Sequence, residues 1–167
     1  MTGRLVPAGD KGKVRKGDGR AAIGDVTADY VTVFIGDQLL GLPVLRVQDV
    51  LGPQRITRVP LAPPEVLGSL NLRGRIVTAI DVRRRLGLPA RDDGKPSMSV
   101  VVEHHGDLYS LQVDQVGEVM TLDIDDYEAN PSTMEARWRE VSNGIYRLKD
   151  RLLVVMDVDR LLQFQTV

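Results

Sequence analysis

The chain has 167 residues, is 43% hydrophobic and 27% charged, and carries a net charge of −1, a composition that suits one ordinary soluble domain or two small ones. It has no cysteine, which excludes a disulfide framework, a thiolate metal site and a cysteine nucleophile; its two histidines are adjacent, so histidine-based triads and metal sites lack parts. No apolar run approaches the roughly 18–20 residues of a bilayer span, and no apolar stretch follows the first charges as in a secretory signal. The expectation is a cytoplasmic chain that binds rather than transforms, with no catalytic residue, cofactor or metal.

Residues 1–27 read as a disordered basic tail. Arg4, Lys11, Lys13, Arg15, Lys16 and Arg20 stand there against Asp10 and Asp18. With no aromatic and no periodicity before residue 25, this segment buries too little to offset the entropy of ordering. Gly17-Asp-Gly19-Arg-Ala-Ala22 imitates a dinucleotide-binding fingerprint, but that loop works only between a strand and a helix. Nothing strand-like precedes Gly17. Beyond the tail, valine is the commonest residue and short strands alternate with turn signals. Strands are expected at 30–35, at 39–47 with Pro43 marking an edge or bulge, and at 75–80, 97–103, 108–113 and 151–156. His104 and His105 fall at a hairpin tip and are expected to face opposite ways.

The chain reads as one unit written twice. Gly36–Leu51 lies on Gly106–Met120 if Gln38 is skipped, matching Leu39/Leu108, Leu42/Leu111, Val44/Val113, Val47/Val116 and Val50/Val119 besides the Gly-Asp pair. Gly68–Leu86 lies on Gly144–Leu162 without a gap, matching Asp81/Asp157, Val82/Val158 and Arg84/Arg160 among others. Units of this size have thin cores and gain by packing together. The expected division is 28–92 for the first β-barrel and 93–167 for the second, the latter ending in a short helix. Asp81 and Asp157 each end a strand before a short helical stretch, which suits capping better than catalysis.

The copies differ in one place. Gly68-Ser-Leu-Asn-Leu-Arg-Gly74 answers to Gly144-Ile-Tyr-Arg-Leu-Lys-Asp150, so Asn71 and Gly74 belong to the first copy alone. A device kept in one copy points to a task of that copy. Arg73 offers a planar fork of donors suited to carboxylates. This block, continued by Arg75-Ile-Val-Thr-Ala-Ile-Asp-Val82, resembles the signature of the CheW family, the bacterial chemotaxis coupling proteins. Gly41-Leu-Pro-Val44 with Val47-Gln-Asp-Val50, Val113-Asp114-Gln-Val116-Gly-Glu-Val119 and Asp150–Val158 resemble further family segments, so that the likeness runs from about Tyr30 to Phe164.

The resemblance implies an all-β fold of two tandem five-stranded Src-homology-3-like barrels packed side by side with short helices. The first strand can pair with the second barrel. It implies a scaffold that couples the regulatory domain of a CheA-type histidine kinase to the cytoplasmic hairpin tips of chemoreceptors, associated with membrane arrays through protein contacts and without membrane insertion. Arg73 is then the coupling arginine, in a loop shaped by Gly68, Asn71, Leu72 and Gly74. Asp49 takes the family's acidic position, usually glutamate and thus one methylene longer. Leu45, Val47 and Val50 are candidates for an apolar groove beside it. Two other readings keep the residues but change the circuit: an adaptor in a paralogous chemosensory pathway, and a tandem-barrel nucleic-acid module, against which stand the near-neutral charge and sparse aromatics. Trp138 is expected to be core or cover, either in a short helix capped by Ser132 or in an irregular loop.

Overall fold

A computed structural model describes residues 26–164; the tail expected over residues 1–27 lies outside the described residues apart from Val26 and Thr27. Eleven strands follow: β1 (Thr27–Ile35), β2 (Gln38–Pro43), β3 (Val47–Leu51), β4 (Val66–Leu72), β5 (Arg75–Asp81), β6 (Met98–His104), β7 (Asp107–Val113), β8 (Gln115–Asp123), β9 (Tyr127–Glu128), β10 (Ser142–Arg147) and β11 (Leu152–Met156). Single helical turns α1 (Val82–Arg85), α2 (Ala136–Arg139) and α3 (Val158–Leu161) complete the set. The strands form two sheets, β3-β6-β7-β5-β4 and β8-β1-β2-β11-β10-β9, the tandem small-barrel class expected from the sequence. The strand expected over 39–47 stops at Pro43, which has no N–H to extend a ladder. A 3-10 turn over Val44–Arg46 then carries the chain into the other sheet.

The sheets are not contiguous in sequence. β1 and β2 join β8–β11, while β6 and β7 join β3–β5, so a boundary near residue 92 separates the repeats and not the barrels. Each repeat lends its first hairpin to the other. The register shows the exchange to be reciprocal. β2 runs parallel to β11 with Leu39 opposite Leu153, and β7 runs parallel to β5 with Leu108 opposite Val77. β1 meets β8 with Val33 opposite Val116, and β6 meets β3 with Val102 opposite Val47. One constant step takes Val33, Leu39 and Val47 to Val102, Leu108 and Val116. The gap at Gln38 is therefore unnecessary. The two turns are Gly36-Asp37 and His105-Gly106, so Gly36 corresponds to His105 and the matched glycines fill different turn positions.

Alternation along each strand sends one face into its own barrel and the other into a shared layer. Leu70, Val77, Ala79, Val101 and Leu108 fill one barrel. Tyr30, Leu39, Tyr146, Leu153 and Val155 fill the other, and burial together with the Tyr30 hydroxyl pushes the Tyr146 phenol far above its ordinary pKa. The largest cluster draws Leu40, Leu42, Val154 and Met156 from one sheet and Ile80, Val100, Val102 and Leu111 from the other. Two thin cores are thus stabilised by a third between them. Asp81 and Asp157 cap α1 and α3, accepting the amides of Arg84 at 3.2 Å and Arg160 at 3.1 Å. Arg85 reaches from α1 to the carbonyls at the end of α3, donating to Leu161 at 2.7 Å and Arg160 at 2.8 Å.

Candidate functional site

The segment expected as a loop over 68–74 is mostly strand. Only Arg73 and Gly74 turn, between the paired Leu72 and Arg75. Both have positive φ, +52° and +84°, the hairpin arrangement that follows the twist of the strands. Glycine adopts it freely, whereas a side chain there costs about 1 kcal/mol. The side-chain oxygen of Asn71 accepts the Gly74 N–H at 3.0 Å and secures the turn.

The Arg73 guanidinium meets Asp49, with Nη1 2.9 Å from Oδ2, so the shorter carboxylate reaches. A bulge between Val47 and Asp49 shifts the local register of β3. The second carboxylate oxygen accepts the N–H of Val50 at 2.9 Å. Since β3 and β4 are the two edges of the five-stranded sheet, the pair ties one edge to the turn that ends the other. Asp49 is 24% exposed and Arg73 75%. Such a pair contributes about 0–1 kcal/mol to folding and leaves most of the arginine fork open to a partner.

The apolar candidates divide. Leu45, on the 3-10 turn, is 94% exposed, and Val50 is 39% exposed. Val47 instead packs on the shared core and Leu72 on the interior of the first barrel, because both lie on inward-facing registers. Gly68 is buried: a Cβ there would lie 2.1 Å from the Thr57 carbonyl oxygen. Its bareness lets Thr57 and Ser69 exchange two backbone hydrogen bonds of 2.7 Å. Gly144, its repeat partner, does the same for β9, with the Glu128 oxygen 2.6 Å from a Cβ position. Gly68 therefore belongs to a frame common to both copies.

Sequence reasoning missed Ile76, which is 69% exposed on β5; the signal was available, because adjacent Ile76 and Val77 cannot both face inward. It also missed Leu61, fully exposed and left-handed at φ +63°. The histidine rings stack at 3.9 Å instead of facing apart, because His105 is left-handed and strand alternation ends before it. His104 Nδ1 lies 3.0 Å from Asp159 Oδ1. Among the described residues no group of three or more metal-ligating side chains could hold an ion. Trp138 covers the shared core from α2, whose first residue follows Glu135 with no side-chain cap; Ser132 does not cap it.

A family model, the CheW-like domain, matches residues 29–165. The chain belongs to the CheW-like family. The chemotaxis protein CheW of Helicobacter pylori is 29% identical over 134 residues, covering 80% of this chain and 81% of that one. That of Rhizobium meliloti is 26% identical over 131 residues, covering 78% and 84%. The crystal structure of scaffolding protein TtCheW from Thermoanaerobacter tengcongensis is similar with a TM-score of 0.74 and 28% identity, over 83% of this chain and 94% of that one. CheW-like membership makes the chain a coupling adaptor of chemotactic signalling, in a family of scaffolds rather than catalysts, and does not favour the nucleic-acid reading.

Proposed function

We propose that this CheW-like chain joins the regulatory domain of a CheA-type histidine kinase to the cytoplasmic hairpin tips of chemoreceptors, with Arg73 as its docking arginine. One observation carries the reading: an arginine held in a left-handed turn, fixed by Asp49 and Asn71, with its fork still open. Leu45, Val50 and Ile76 add exposed apolar surface on the 3-10 turn, β3 and β5. An apolar surface with a charged rim suits an apolar helical hairpin. Asn71 and Gly74 set the turn, while Gly68, Val47 and Leu72 hold the frame beneath it. Among the described residues no helix is long and apolar enough to cross a membrane; association with receptor arrays runs through protein contacts. Co-sedimentation with receptor fragments and kinase tests the assignment. Arg73→Ala is expected to weaken binding about tenfold, the loss of one charge-assisted contact, with an unchanged circular dichroism spectrum. Normal binding of both partners by that variant would overturn the site.

A further inference from the structure

The chain passes between the two sheets twice. β2 leads through the 3-10 turn Val44–Arg46 into β3, and β7 leads through the single residue Asp114 into β8. Each passage is tied by an ion pair to the second residue of a helical turn. Arg46 meets Asp159 of α3 at 2.9 Å, and Asp114 meets Arg83 of α1 at 2.6 Å. Arg83 and Asp159 are repeat partners, so the charges are inverted from one passage to the other.

The two ties are unequal. The Asp114 carboxylate is 12% exposed. It accepts Arg83 Nε at 2.9 Å, Arg83 Nη2 at 2.6 Å and the Gly36 backbone N–H at 2.6 Å, with Arg91 Nε at 3.8 Å. These donors come from α1, from the β1–β2 turn and from the segment before β6. Arg83 also donates to the Pro89 carbonyl at 2.8 Å. Burial disfavours the Asp114 charge, but the bonds from Arg83 and Gly36 and the charges of Arg83 and Arg91 outweigh it and hold the carboxyl below its ordinary range. Asp159, by contrast, is 59% exposed and divides one oxygen between Arg46 and His104.

Apolar burial in the shared layer resists separation of the sheets but has no direction. Charge-assisted hydrogen bonds sheltered from water are directional. We propose that Asp114 is a positioning residue for coupling: it fixes the angle between the barrels, and with it the placement of the Arg73 hairpin relative to the second barrel. The Arg46 passage, which also carries Leu45, is the one that yields. The signalling consequence rests on the adaptor reading above; the positioning itself does not.

The cysteine-free chain admits a clean test. Arg75→Cys and Lys149→Cys place spin labels on exposed positions of the β4–β5 and β10–β11 hairpins of the full-length protein, and pulsed electron resonance reads the distance between them. Asp114→Asn and Arg83→Gln are each expected to widen the distance distribution about twofold, and the double variant to add little, as for two members of one unit. Arg46→Gln is expected to widen it less. In reconstituted receptor–kinase assemblies Asp114→Asn should lower ligand control of the kinase about tenfold, with each separate binding affinity within about twofold of normal. Unchanged distributions in Asp114→Asn and Arg83→Gln overturn the proposal, as does a fall in separate affinities that matches the loss of control. If the unaltered chain binds neither partner, the proposed partners are wrong, and the spin-label distances still decide the role of Asp114.

Discussion

The β4–β5 and β10–β11 hairpins are the same device finished differently. Both carry, as the third residue of their first strand, a glycine that lets a crossing segment lie against the backbone, Gly68 under Thr57 and Gly144 under Tyr127 and Glu128. Both lead into a helical turn capped by an aspartate. At the tips they part. Arg73-Gly74 is a tight left-handed pair, whereas Leu148–Arg151 closes more loosely with the Leu148 N–H bonded to the Arg151 carbonyl at 2.8 Å. Duplication has kept what the barrel requires and released what it does not. The strained tip, absent from the other copy, is the part with a task of its own.

The comparison breaks first at the frame. Gly68→Ala is expected to destabilise by about 3 kcal/mol or more, since the methyl meets backbone and not a movable side chain. Gly144→Ala should be similarly severe. Urea unfolding measures both, and a mild effect in either copy would show that the crossing is not what preserves the glycine.

The next test concerns the passages. Because the folded pKa of Asp114 is depressed, its contribution is complete above the unfolded value near 4 and is lost as pH falls through the lower folded one. Asp114→Asn should cost about 1–2 kcal/mol at pH 7 and flatten the loss of stability as pH falls below about 4. Unfolding midpoints at several pH values check this. Parallel pH curves for the two proteins would count against it.

Gly74→Ala should cost about 1 kcal/mol, from φ alone, since a Cβ there meets nothing within 4 Å. The smallest effect on stability belongs to Arg73→Gly. Relief of about 1 kcal/mol of turn strain should offset an ion pair of similar size or less, leaving unfolding nearly unchanged while docking falls. A large loss of stability instead would make Arg73 a structural residue.

Much of this was legible in the sequence, and the remainder fails for definite reasons. Strand periodicity located β1, β5, β6, β7 and β11, and the spacing of Asp81 and Asp157 located both caps. β8 goes unread because none of its residues is buried and no alternation marks it. β4 reads as a loop because Asn-Leu-Arg-Gly carries turn chemistry, though only the last two of those residues turn. Alternation shows that a strand has two faces but not which sheet it enters, so the hairpin exchange was visible only in part. Whether Asp49 reaches Arg73 depends on a bulge in β3 and on β3 and β4 both being edges, neither of which the local sequence encodes.

The hairpin exchange also governs what can be removed from this protein. A cut near residue 92 would strand two strands of the six-stranded sheet and three of the five-stranded one, leaving a fragment with neither barrel closed. Neither copy is expendable once the loan is mutual. The two copies differ at their hairpin tips, where one has become an instrument while the other remains its counterweight.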